Sequence, residues 1–261
     1  MFIKNIIQQL ISFIFPTTCI CCDQIINYQG IFCINCFKKL LFISPIKCQV
    51  CSLPFKQQLI FDNQSKCAKC LAKKPKFDET YAIFIYNSEI SKALTKFKYY
   101  DHLYLAKKFS YLLKNQFHSI IADADIICSV PMHPKKLRIR KFNQANIIAR
   151  EINKEKYLPE LLLKIKNNQA QVYLSKNKRK KNLRNSFRLN YSLKNEINNK
   201  TIIIVDDVMT TGTTAHYCAK ILKKNGAKKV IILIIARTVE DSYSFNKKIC
   251  LINYQNQQII L

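Results

Sequence analysis

Two adjacent acids, Asp206 and Asp207, run almost directly into a small hydroxyl-rich segment, Thr210, Thr211, Gly212, Thr213 and Thr214. That order suits a phosphate. Small residues let several N–H donors converge on a phosphomonoester without a bulky side chain intervening, and the acids stand where α/β sheets place their ligand sites. Gly212 is one of only three glycines in 261 residues, and it stands where the backbone must turn tightly against a ligand. A second set is made of cysteines, because eight of the twelve fall into four C-x-x-C pairs: Cys19/Cys22, Cys33/Cys36, Cys48/Cys51 and Cys67/Cys70. Each such turn points two thiolates at one tetrahedral ion, and two turns separated by roughly 10 to 15 residues complete a four-cysteine zinc site. Sequential pairing places Cys19, Cys22, Cys33 and Cys36 on one ion and Cys48, Cys51, Cys67 and Cys70 on the other; interleaved pairing also fits the spacing. All four positions on each ion are then filled by protein, so a structural role is expected. A third set, Arg138, Arg140 and Lys141, offers cations suited to a diphosphate.

The elements that must position these groups alternate between strand and helix. Ile202 to Val205 are four β-branched residues in a row, the pattern of a strand buried on both faces, and they place the acids at its carboxyl end. A helix is predicted from near Thr213, with Ala215, Cys218, Ala219, Ile221 and Leu222 on one side and Asn225-Gly226 as its stop. Strands are expected at Tyr81 to Tyr86, Ile126 to Val130 and Val230 to Ile235, the second ended by Pro131-Met132-His133-Pro134. Helical spacing covers Ile90 to Phe97 and Leu103 to Phe117. Between them, Tyr99, Tyr100 and His102 beside Lys96 and Lys98 read either as a base-stacking cluster or as an aromatic-capped surface. Cys128, Cys218 and Cys250 lie in apolar runs and read as packing residues, and Cys21 reads as a spectator within its knuckle.

The chain carries a formal charge of +27, which favours polyanionic partners through counterion release, nucleic acid above all. The same excess of lysine is also what an AT-rich coding bias produces. Residues 1–18 have amphipathic helical spacing, with Gln8 and Gln9 interrupting what would otherwise pass for an export signal. No segment reaches the length of a bilayer span. A cytoplasmic, reduced protein is the expectation. The polar linker 71–78 carries Pro75 and marks a boundary.

The strand, acid pair and T-T-G-T-T run from Thr201 to Thr214 resembles the signature of type I phosphoribosyltransferases. That resemblance implies that Asp206 and Asp207 hold ribose hydroxyls while Thr210, Thr211, Gly212, Thr213 and Thr214 wrap a 5′-phosphate. V-P-M-H and R-K-F-N-Q, from Val130 to Gln144, are similar to the V-P-x-H and R-G-F-N-Q elements of the ComF group, where the segment is a pyrophosphate loop; here Lys141 replaces the glycine. Gln171, Leu174, Arg179, Asn182 and Phe187 also follow that group's pattern, in a basic stretch that corresponds to the mobile loop of phosphoribosyltransferases. Together with the four C-x-x-C pairs, the elements recur in ComF order over nearly the whole chain.

The resemblance implies an α/β fold of the type I phosphoribosyltransferase kind with a mostly parallel sheet, preceded by a small Cys-rich double zinc ribbon. The boundaries expected are an amphipathic helix over 1–18, the ribbon over 19–72, the transferase-like domain over 78–240 and a strand or tail over 241–261. It implies binding of phosphoribosyl diphosphate with Mg2+ and transfer of ribosyl phosphate to an unspecified acceptor, with Asp206, Asp207, Arg138 and Arg140 at the reaction centre and Lys141 on the ligand. It further implies an association with competence and DNA uptake, with single-stranded DNA and a competence helicase as partners. The alternative is a binding module for single-stranded DNA with a relict transferase site.

Overall fold

The structure is a computed structural model, and it describes residues 16–26, 30–55, 65–99, 102–167 and 185–239. The amphipathic helix expected over 1–18 lies outside them but for its last three residues, as do Tyr100, the basic stretch 171–184, Cys250 and the segment 241–261.

Two short helices, α1 (Ile34–Phe37) and α2 (Ala68–Ala72), belong to the cysteine-rich part. After them the chain alternates through β1 (Glu79–Ile85), α3 (Ser88–Tyr99), α4 (Tyr104–Gln116), α5 (His118–Asp123), β2 (Ile126–Ser129), α6 (Pro134–Arg140) and α7 (Gln144–Ile152). It continues through β3 (Leu162–Lys164), β4 (Phe187–Leu189), a 3-10 helix (Tyr191–Ile197), β5 (Thr201–Met209), α8 (Thr213–Lys224) and β6 (Lys229–Arg237). β1, β6, β5 and β2 form a sheet in that order with every pairing parallel, while β3 and β4 make a separate antiparallel pair.

Continuous apolar runs in β5 and β6 follow from their central places, since a strand covered on both faces needs apolar residues at both parities. Ile203, Val205, Ile231 and Leu233 enter one core, and Ile202, Ile204, Val230 and Ile232 enter the other. The cysteine-rich part supplies both cores. Phe32, Leu40 and Phe42 join the first core with Phe84, Phe97 and Phe109, and Val50, Leu53 and Cys48 join the second with Phe187, Cys218 and Leu222. The residues linking the two halves, 41–43, seal the outer edge of β1: Ile43 N–H donates to Ile83 O at 2.9 Å, and Ile85 N–H donates to Leu41 O at 2.7 Å. An exposed parallel edge would be a template for unwanted pairing, so this short antiparallel bridge completes the sheet.

Two details differ from the sequence expectation. β5 runs on to Met209, so Asp206 and Asp207 sit within the strand and not just past it; pairing of Val208 with Ala236 and Met209 with Arg237 carries the ladder beyond the acids. Arg138 and Arg140 lie on a helix, not a loop, because Pro134 pre-sets the first helical turn and the His133 side chain caps it by accepting from Lys135 N–H. Among the described residues no helix is long and apolar enough to cross a membrane.

Candidate functional site

The strand delivers the acids to opposite sides of the sheet, as successive residues of a strand must be. Asp207 forms an ion pair with Lys98 near the end of α3, Nζ to Oδ2 2.6 Å, with both side chains mostly shielded. Burial pulls the Lys98 ammonium down, but the charge and hydrogen bond of Asp207, and after them Asp206, outweigh it and hold the group above its ordinary value. Asp206 faces the side where Lys164 and Cys218 lie, near enough for charge to be felt. Burial, and then the neighbouring Asp207, push the Asp206 carboxyl up to about 8. Asp206 therefore holds its proton near neutrality. Asp206 Oδ1 accepts from Asp207 N–H at 2.9 Å and Asp207 Oδ1 from Val208 N–H at 2.7 Å, which fixes both carboxyl groups.

Beyond Met209 the chain turns through Gly212, at φ 72°, into α8. An added Cβ there would make only ordinary contacts, 3.4 Å from Met209 Sδ and 3.6 Å from Phe77 Cζ, so it is the left-handed backbone that favours glycine. The first N–H of α8 to find a backbone carbonyl is that of His216, which donates to Gly212 O at 2.8 Å. Thr213 N–H makes a long contact, 3.4 Å, with Thr211 Oγ1, which also meets Thr213 Oγ1 at 2.8 Å. For the amides of Thr210, Thr211, Gly212 and Thr214 no acceptor is found among the described residues. These are unspent donors at the positive end of a helix of 12 residues.

Braces from α7 and α3 hold the acid side. Asn143 caps α7, accepting from Ala145 N–H, and its Nδ2 donates to Val130 O at 3.0 Å. Buried Gln144 donates to the carbonyls of Phe97 and Lys98 at 3.4 and 3.3 Å, so the F-N-Q run sets the helix end that carries Lys98. Arg140 is half-buried and close enough to Lys98 for its charge to oppose that ammonium. Arg138 is exposed and has no ion pair among the described residues. Lys141 sits at φ 64°, ψ −24°, the left-handed region; a glycine there would relieve strain, and the lysine accepts that strain while adding a charge. Sequence reasoning missed Lys98 as Asp207's partner, since nothing local links a residue on α3 to one on β5. The base-stacking reading of its neighbours falls partly on Tyr100, outside the described residues. His102 packs edge-on to Tyr104 at 5.5 Å, which fits the aromatic surface.

Sequential pairing of the C-x-x-C turns is what the fold adopts. The ligand atoms of Cys19, Cys22, Cys33 and Cys36 lie within 4.8 Å of one another, and so do those of Cys48, Cys51, Cys67 and Cys70. Four thiols at that spacing fit tetrahedral zinc. Cys21 is buried outside the set, as are Cys128 and Cys218. Burial works against a Cys19 thiolate, but backbone N–H groups, that of Cys33 foremost, bring it down to about 7. A cavity of about 630 Å³ separates the second four-cysteine site from the threonine turn. It is lined by Cys51, Cys67 and Cys70 on one wall and Thr210, Thr211 and Gly212 on the other, and neither Asp206 nor Asp207 borders it.

Residues 142–257 match the family described as phosphoribosyl transferase domain, and residues 10–71 match the double zinc ribbon domain. The chain is similar to competence protein F of Haemophilus influenzae, 28% identical over 183 residues, covering 66% of this chain and 78% of that protein. It is 28% identical over 200 residues to DNA utilization protein YhgH of Escherichia coli K12, covering 74% of this chain and 84% of that one. It is 23% identical over 228 residues to competence protein ComFC of Bacillus subtilis, covering 80% and 89%.

Proposed function

The chain belongs to the ComF family, a double zinc ribbon joined to a phosphoribosyl transferase domain, and from that premise we propose that it binds phosphoribosyl diphosphate with Mg2+ and serves DNA uptake. Asp206 and Asp207 take the ribose hydroxyls. The amides and hydroxyls of Thr210, Thr211, Gly212, Thr213 and Thr214 take the 5′-phosphate. Arg140, with Arg138 and Lys141 on the same segment, meets the diphosphate. The observation that carries this reading is the row of unspent amide donors after the acid pair. Asp206 and Asp207 would stand beside Mg2+, which would supply charge neutralisation for a departing diphosphate.

Transfer of ribosyl phosphate asks little covalent help of a protein. Positive charge grows at the anomeric carbon as diphosphate leaves, so the work is to orient the sugar, balance the leaving group and exclude water. Calorimetry with phosphoribosyl diphosphate and Mg2+ tests the binding. Saturable binding that Asp206→Asn with Asp207→Asn abolishes is the expected result, and unchanged affinity in that double variant defeats the ribose assignment. Release of diphosphate on adding nitrogen nucleophiles tests turnover.

The formal charge of +27 favours a second, compatible reading, in which the basic surface holds single-stranded DNA. Its affinity should fall steeply as salt rises, log K against log salt having a slope of several units. A flat salt dependence contradicts it.

A further inference from the structure

Arg237, the last residue of β6, is only 8% exposed and its guanidinium has no carboxylate partner among the described residues. Carbonyl oxygens surround it instead. Nε donates to Cys51 O at 3.1 Å, inside the first C-x-x-C knuckle of the second ribbon. Nη1 lies 3.0 Å from Met209 O and 2.6 Å from Thr238 O, and it also meets Thr210 O. One side chain thus holds the metal ribbon and the threonine turn together at the edge of the cavity between them.

The peptide unit makes this more than a tether. In a planar trans peptide the C=O and the following N–H point in opposite directions. Carbonyls of Met209 and Thr210 aimed at Arg237 therefore aim the N–H groups of Thr210 and Thr211 away from it, out of the buried interior. Those are two of the amides left without acceptors. A cation on the oxygen also polarises the peptide and strengthens its N–H as a donor.

We infer that Arg237 is a positioning residue: it presents the Thr210 and Thr211 amides to a phosphate and makes that presentation depend on the second four-cysteine site. This rests on the sugar-phosphate reading of the turn. Coupling between two sites is reciprocal, so ligand in the turn also steadies the second ribbon.

The test uses the full-length, zinc-loaded protein with ribose 5-phosphate, and compares wild type with Arg237→Met, Arg237→Lys, Cys67→Ser and Cys36→Ser. Losing a charge-assisted contact on each of two peptides should weaken ribose 5-phosphate binding by about tenfold or more in Arg237→Met. Arg237→Lys keeps the charge without the fork and should recover only part of it. Cys67→Ser should weaken binding in wild type and add nothing further in Arg237→Met, whereas Cys36→Ser should combine independently with it. Equal affinity in wild type and Arg237→Met, or full additivity with Cys67→Ser, overturns the inference. If wild type itself fails to bind ribose 5-phosphate, the reading of the turn is what fails. Amide exchange then decides the inference: faster exchange at Thr210 and Thr211 in Arg237→Met, with circular dichroism unchanged, sustains it, and unchanged exchange defeats it.

Discussion

In the first ribbon Asp23 N–H closes the knuckle on Cys19 O at 2.9 Å, and in the second Ser52 N–H closes it on Cys48 O at the same distance. Both closing residues take positive φ, 63° and 53°. The second half of each ribbon opens a short helix at a cysteine, Cys33 or Cys67, with nearly equal backbone angles, φ −72° and ψ 159° or 156°. Alike in construction, the two are employed differently. The first packs aromatic residues against a sheet face, with Phe32 and Phe42 on Phe84 at centroid distances of 5.8 and 5.1 Å. The second faces the threonine turn across a cavity and reaches it through one buried guanidinium. Repetition of a metal motif thus fixes local shape, and the surface it meets decides whether it serves packing or a site.

Removing metal breaks the comparison most completely. Structural zinc contributes on the order of 10 kcal/mol to the fold of small ribbons, and here both ribbons supply core residues. A chelator strong enough to strip both sites should abolish cooperative thermal unfolding followed by circular dichroism. Retention of a sharp transition would show that the sheet stands without them.

Phe84→Ala removes the ring on which the first ribbon rests. It should cost about 3–5 kcal/mol in denaturant unfolding while leaving ribose 5-phosphate affinity within about threefold, because nothing in that contact reaches the turn. A large affinity loss would erase the distinction between the ribbons.

Proton linkage at Asp206 gives a smaller effect. Its carboxyl holds a proton when folded up to about 8 and loses it near 3.8 when unfolded, so the native state binds more protons across that interval and stability falls as pH rises through it. Asp206→Asn should flatten this decline, seen as denaturation midpoints measured from pH 4 to 8. Affinity for phosphoribosyl diphosphate with Mg2+ should rise with pH toward 8, since a cation favours the ionised carboxyl. A midpoint series of equal slope in both proteins refutes the linkage.

Smallest are the turn residues. Lys141→Gly should gain about 1 kcal/mol by removing left-handed strain. Ser52→Gly should gain nothing, because the buried Ser52 hydroxyl donates to Thr80 O and that bond goes with it. Chemical denaturation of both variants compares them directly.

Much of the site was legible because its parts are contiguous. Ile202 to Val205, the acid pair and the turn at Gly212 follow one another in a single strand, turn and helix, so local rules reach them. The start of α8 at Thr213 and the four C-x-x-C turns were readable for the same reason, while the fold decided that the turns pair sequentially. Lys98 and Gln144 were not, since they serve Asp207 through contacts spanning 109 residues and 46 residues in sequence respectively. The helix at Arg138 and Arg140 was missed because the basic run was read for charge, while Pro134 and the His133 cap decided its backbone.

Residue type and spacing alone determined that this chain carries two four-cysteine metal sites and a strand leading through two acids to a turn of small hydroxyls, because ligand geometry and turn chemistry act over a few residues. Only the tertiary structure decided which acid keeps its proton, which lysine answers the other, and that Arg237 joins the second ribbon to the turn. Those depend on burial and on which distant groups share a volume, quantities that exist once the sheet has closed and its two faces are covered.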